Sequence, residues 1–81
     1  MNSDDVHVHI DDLVAEEQAL LGRGGHEGGL DPTEHERLAA IKVELDRYWD
    51  LLRQRRALAE SGLDPEVARL RSEDTVEGYL Q

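Results

Sequence analysis

The groups in this chain with the means to do chemistry are four histidines, a pair of adjacent glutamates and a run of arginines. His7 and His9 flank Val8 and stand beside Asp11 and Asp12. On a helix, two residues two positions apart point about 200° away from each other, so these two rings cannot share one metal ion. His7 with Asp11, at i and i+4, offers two ligands, which is too few for a zinc site. His26, in a glycine-rich segment, and His35, near the start of a second helix, read as surface residues. Ser3, Ser61, Ser72, Thr33 and Thr75 lack the nearby histidine and acid that would make a hydroxyl a nucleophile. Glu16 and Glu17 are adjacent and diverge. Two helices also enclose a substrate pocket of several hundred Å³ with difficulty. The expectation is a non-enzyme with no catalytic residue, no metal and no cofactor.

Arg47, Arg53, Arg55 and Arg56 form the main basic concentration, next to Tyr48 and Trp49. Arginines among aromatics can grip a phosphate or an acidic peptide. The plainer reading is that they bridge acids of the same chain or of a dimer mate. The formal net charge of −10 is unevenly spread. Residues 1–36 carry ten acids and one arginine, residues 37–59 six bases and three acids, and residues 60–81 six acids and two arginines. Such a balance disfavours nucleic acid, whose binding rests on basic groups displacing counterions from phosphates, and it disfavours an anionic membrane for the same reason.

The elements that must position these groups are helical. Ser3 is placed to cap a first helix of about residues 4–21, with Asp4 and Asp5 at its positive end. Val6, Ile10, Leu13, Val14, Leu20 and Leu21 fall on one stripe about 120° wide. Residues 22–30 are a glycine-rich loop, and no lysine or serine/threonine follows at phosphate-loop spacing. Asp31, Pro32 and Glu34 spell a capping box with proline in the first turn, opening a long helix of about residues 32–61. Gly62 suits a left-handed stop. Leu38, Ile41, Leu45, Tyr48, Trp49 and Leu52 form its main apolar stripe, and Ala40, Leu51 and Leu58 a weaker one. In the tail, residues 62–81, Asp64-Pro65-Glu66 repeats the cap-then-proline signal, so residues 65–70 can form a short helix, and Asp74 or Thr75 can start a last turn.

The fold class is therefore all-α: an antiparallel hairpin of a short and a long helix with a tail of short helical turns. If Leu21 lies near Thr33, then Leu13 meets Ile41, Ile10 meets Leu45 and Val6 meets Tyr48, apolar on both sides each time. Helix two is longer and overhangs from about Leu51, leaving Leu51, Leu52 and Leu58 in water. Either the tail folds back over them or a second chain covers them as a four-helix dimer. A chain of 81 residues buries little apolar surface, so a homodimer is favoured. Glu17 and Arg56 each fall near the centre of an apolar stripe. Within one hairpin Glu17 would pair with Arg37, while Arg56 extends along its stem to solvent. The sharper alternative is an inter-chain Glu17–Arg56 pair that fixes dimer register. Trp49 reads as a core anchor, with an exposed hot spot as the alternative.

There is no cysteine, so neither disulfides nor thiol chemistry is expected. No apolar run is long enough to span a bilayer, and the acidic start does not resemble a secretion signal, so a cytoplasmic location is expected. Three blocks carry a resemblance: His9-Ile10 with Leu13-Val14-Ala15-Glu16-Glu17; Glu44-Leu45-Asp46 with the run from Trp49 to Arg56; and Gly62-Leu63-Asp64-Pro65 with the ending Val76-Glu77-Gly78-Tyr79-Leu80. On these the chain resembles the short bacterial family catalogued as domain of unknown function 2630. The resemblance implies a small stand-alone cytoplasmic protein and brings no catalytic or ligand residues. The functional expectation is an interaction or structural module, presenting Trp49, Leu52, Arg53, Arg56, Leu58 and Tyr79 to a partner. The alternative is a regulator that binds a phosphate-bearing ligand or nucleotide through the arginine patch.

Overall fold

The structure is a computed structural model that describes residues 2–24 and 29–80, with the backbone only for Tyr79 and Leu80. It contains α1 (Ser3–Gly24), α2 (Pro32–Glu60), a 3₁₀ turn (Pro65–Val67) and α3 (Glu73–Leu80), with no strand among the described residues. His26 lies outside those residues.

Local signals explain most of the boundaries. Asp31 accepts the Glu34 amide at 2.8 Å, and the Glu34 carboxylate accepts the Asp31 amide at 3.2 Å, closing the box at the start of α2. At the far end Gly62 adopts φ +76°, and the amides of Gly62 and Leu63 reach back to the carbonyls of Ala59 and Leu58. This is a Schellman stop, which needs a residue free of a Cβ penalty at that place. The cap of α1 is not Ser3. Asn2 Oδ1 accepts the Asp5 amide at 2.8 Å, which leaves the Ser3 hydroxyl for Arg55, as described below. α1 also runs through Gly22 to Gly24, past the expected end at Leu21. Arg23 then pairs with Glu34 at 3.2 Å, tying the end of α1 to the first turn of α2.

Val6, Ile10, Leu13 and Leu20 of α1 are buried in one cluster with Ile41, Leu45 and Leu51 of α2 and Ala68 of the tail. The two helices run antiparallel, as Glu16–Arg37 at one level and His9–Tyr48 at another require. Tyr48 packs against the cluster that holds Val6 and stacks on His9, about one turn further along α1, with ring centroids 5.4 Å apart. Further along, Arg55 Nη1 donates to Ser3 Oγ at 3.0 Å. Helix α1 therefore reaches Arg55, and the overhang is shorter than the sequence suggested.

What remains of it is covered by the tail. Leu51 is buried and Leu58 half-buried, not left in water. The 3₁₀ turn and α3 both pack on α2, and among the described residues neither packs on α1. Residues 68–72, part of which was expected to continue a helix from Pro65, are not helical. They are stitched to α2 instead: Gln54 Nε2 donates to the Arg69 carbonyl at 2.9 Å and Arg47 Nε to the Arg71 carbonyl at 3.0 Å. Asp50, only 4% exposed, accepts from Gln54 at 2.9 Å and lies 3.7 Å from Arg71 Nε. Arg47, Asp50 and Gln54 stand at i, i+3 and i+7, one polar stripe on α2 that holds the tail. Ser72, rather than Asp74 or Thr75, starts α3: its Oγ accepts the Thr75 amide at 3.2 Å.

Helix α2 is thus a spine with α1 along one side and the tail along another. The molecule measures 52 × 26 × 16 Å, with a Cα radius of gyration of 15.2 Å. A compact domain of this length has a radius near 12 Å. Its accessible surface is 5566 Å², against about 4,900 Å² for a compact protein of its mass.

Candidate functional site

Two places on this scaffold gather groups capable of recognition: an apolar face on the α1–α2 pair and a cleft beneath the tail.

The face follows from helix geometry. The buried stripe of α1 is flanked on one side by His9 and Glu16, which meet Tyr48 and Arg37 of α2. At about 100° per residue, Val14 and Leu21 fall on the opposite flank of α1, and Leu38, Lys42, Trp49 and Arg56 fall on the matching flank of α2. All of these lie on one side of the hairpin, away from the tail. Val14 and Leu21 are exposed, and Leu38 and Leu52 are half-buried. Trp49 is 45% exposed. The core-anchor reading of Trp49 is therefore wrong and its alternative, an exposed aromatic, is what the fold presents. The buried part of the α2 stripe is narrower than its apolar residues, and Trp49 stands at its edge.

Glu17 sits where α1's apolar repeat would continue between Leu13 and Leu20. It is half-buried and has no hydrogen bond or ion pair among the described residues. The expected Glu17–Arg37 pair does not form. Arg37 takes Glu16 instead, in a two-pronged contact with one N–O distance of 2.8 Å and a second through Nε. That contact holds the Glu16 carboxyl below the usual range and raises Arg37. Arg56 is not at a stripe centre: its side chain is 82% exposed and pairs with Glu60 at 3.1 Å, one turn along α2.

The arginine patch expected on α2 is dispersed. Arg47 is committed to the tail backbone, Arg53 projects to solvent, Arg56 joins Glu60, and Arg55 turns inward. Positions 47, 53, 55 and 56 point in four directions around a helix. Arg55 is the buried one, at 6% exposure. It links α1 to the tail, donating to Ser3 and facing Glu66 Oε2 at 3.9 Å. Beside it a cleft of about 400 Å³ is lined by Leu51, Arg55, Glu66, Ala68, Arg69 and Leu70. Arg69 Nη1 donates to the Glu66 and Ala68 carbonyls at 2.9 and 3.1 Å, which fixes its head at the cleft. That Arg55 and Arg69 line one cleft depends on the fold-back of the tail, which the side-chain pattern does not show.

Tyr79's side chain lies outside the described residues; Leu52 and Leu58 are half-buried against the core cluster. Among the described residues no three histidines, cysteines, aspartates or glutamates gather where they could hold a metal ion, and no helix is long and apolar enough to cross a membrane. Glu77 of α3 has its carboxyl pushed up by burial and by the neighbouring acids Asp46 and Glu73.

The family model for a protein of unknown function, DUF2630, matches residues 2–81. The chain belongs to this family. It is 54% identical over 71 residues to an uncharacterised protein of Mycobacterium tuberculosis strain H37Rv, covering 88% of this chain and 82% of the relative. An uncharacterised protein of Mycobacterium bovis matches with the same identity and coverage. No solved structure matches. For this DUF2630 member the Trp49 face and the Arg55 cleft are the places where function can be sought.

Proposed function

We propose that this DUF2630 protein is a non-enzymatic interaction module that works as a homodimer of helical hairpins. The exposed Trp49, on one face with Val14, Leu21, Leu38 and Leu52, is the observation that carries this reading. The chain exposes roughly 700 Å² more than a compact protein of its mass, close to the roughly 800 Å² per partner of a standard interface.

The charges on that face suit a second copy arranged about a two-fold axis. Glu17 is level with Glu36, as the adjacent Glu16–Arg37 pair sets in an antiparallel hairpin. Glu36 and Arg56 are 20 positions apart on α2, about 30 Å, with their midpoint at Asp46. An axis crossing α2 at that level brings Glu17 of each copy to Arg56 of the other. It also sets the two Trp49 rings about 9 Å apart along the helix, near the centre. An isologous interface needs this self-complementarity. A half-buried carboxylate gains most from a partner when water is excluded around it. In the dimer the exposed Arg53 lies away from the axis, towards the C-terminal end of α2, available to a further protein partner.

Charge reversal tests the arrangement. Glu17→Arg and Arg56→Glu should each weaken the dimer, and the double variant should recover it. Dimers of unchanged strength in both single variants would remove the proposed register.

A further inference from the structure

We propose that α3 is a displaceable lid over a docking seat on α2, and that the seat fits a short amphipathic helix of a protein partner that sets a basic side chain against Asp46. The seat lies on the tail side of α2, so this inference stands apart from the dimer face.

Among the described residues α3 is held on α2 alone. Its apolar hold is good, since Val76 is 0% exposed. Its polar hold is poor. The next residue, Glu77, meets Asp46 of α2 carboxyl to carboxyl. Two carboxylates repel, so the hydrogen bond between them exists only while one of them keeps a proton. Glu77 Oε1 is buried with no donor among the described residues. A buried acceptor left without a donor loses the hydrogen bond that water gave it. Burial first, then Asp46 and Glu73, push the Glu77 carboxyl up.

The surrounding charges do not repair this. Arg47 commits its Nε to the Arg71 carbonyl at 3.0 Å, and Asp50 accepts from Gln54 and faces Arg71. Both serve residues 68–72 rather than α3. Asp46 pairs with no base among the described residues. α3 itself brings Glu73, Asp74 and Glu77 and no base. Glu73 and Asp74 suit the positive start of the helix, whereas Glu77 stands in its second half, where the dipole favours a cation. A lysine or arginine at that place would donate to Asp46, bury no orphan oxygen and suit the helix end. The seat is therefore better matched by a helix of opposite charge than by the one that covers it. Beside it Ala39, Ala40 and Val43 line a cleft of about 280 Å³ bordered by Glu73, with room for side chains that α3 does not supply.

The test is nuclear magnetic resonance on the full ¹⁵N-labelled chain carrying Val76→Asp, which sets a charge where burial is complete and so lifts the lid while leaving the chain whole. The probe is a peptide copying residues 72–81 with Glu77→Lys. Near neutral pH it should bind saturably at about millimolar concentration, moving the amides of Val43, Asp46 and Asp50. The unaltered peptide should bind about threefold more weakly, the yield of one partly exposed ion pair. Asp46→Asn in the labelled chain should remove that difference. With Val76 kept the lid competes, and the probe should bind more weakly by roughly tenfold, the factor for a lid closed nine-tenths of the time. A second measurement needs no peptide: Glu77→Lys in the chain itself should slow α3 amide exchange by about three- to fivefold near neutral pH. No saturable binding to the Val76→Asp chain, or binding as tight with Val76 kept, overturns the lid and its seat. Equal binding of the unaltered peptide would assign the seat to α3 of the same or a second copy and overturn the basic partner. Unchanged or faster exchange in Glu77→Lys would overturn it too.

Discussion

Replacing Leu51 by alanine should destabilise the protein by about 2.5–3 kcal/mol. The side chain is 3% exposed and belongs to the cluster that joins α1, α2 and Ala68 of the tail. The change removes three carbons, and at about 0.8 kcal/mol per buried methylene the transfer loss alone is about 2.4 kcal/mol. Measured leucine-to-alanine losses run from about 2 to 5 kcal/mol, the upper values where a closed cavity persists. Leu51 borders the open cleft under the tail, so neighbours and water can fill the space and the cavity contribution stays small. The assay is urea unfolding followed by circular dichroism at one fixed protein concentration, because association would make stability depend on concentration. A loss below about 0.5 kcal/mol, the value ordinary for a surface substitution, would refute the fold-back of the tail. It would return Leu51 to the solvent-exposed overhang that the sequence alone suggested.

Further outcomes follow from single positions. Gly62→Ala forces a Cβ into a left-handed conformation at φ +76° and should cost about 1–2 kcal/mol; a neutral result in the same melts would contradict the Schellman stop. Glu77 is raised by burial and by Asp46 and Glu73, with Arg47 the basic group on the same stretch of α2. Its contribution to docking α3 is full below the ordinary glutamate range and lost as pH rises through the raised value. Hydrogen exchange of the α3 amides should therefore speed up with pH beyond the intrinsic rate, and Glu77→Gln should abolish that excess. Glu16 is lowered by its hydrogen bonds from Arg37, so its contribution is present above the ordinary range and lost as pH falls through the lowered value. Acid should loosen the α1–α2 contact at Glu16 while tightening α3, and parallel loss of both would contradict the assignment.

Much of the hairpin was legible because its signals are local. Asp31-Pro32 with Glu34 and the glycine at 62 act through residues within one turn, and the fold uses both as read. The apolar repeat Val6, Ile10, Leu13, Leu20 needs only helical spacing to be seen. Errors arose where one residue of register, about 100° of rotation, decides the partner. Arg37 takes Glu16 and not Glu17, Arg55 turns inward and not Arg56, and Leu51 is buried while Trp49 is not. The tail's path was the least legible part. Gln54 and Arg47 hold it by donating to backbone carbonyls, which leave no mark in the side-chain pattern. The spacing of Arg47, Asp50 and Gln54 beside Leu51 and Leu58 was the available signal. It marks a face that is polar at its edge and apolar within, as a face covered by a chain segment would be.

Sedimentation equilibrium over a wide range of concentrations tests the dimer most directly, with the intact chain and Trp49→Ala run side by side. The account predicts a species of twice 9.1 kDa for the intact chain and a marked shift to single chains in Trp49→Ala, with helix content retained. A mass of 9.1 kDa for the intact chain at every concentration, or a dimer untouched by the loss of Trp49, would contradict it.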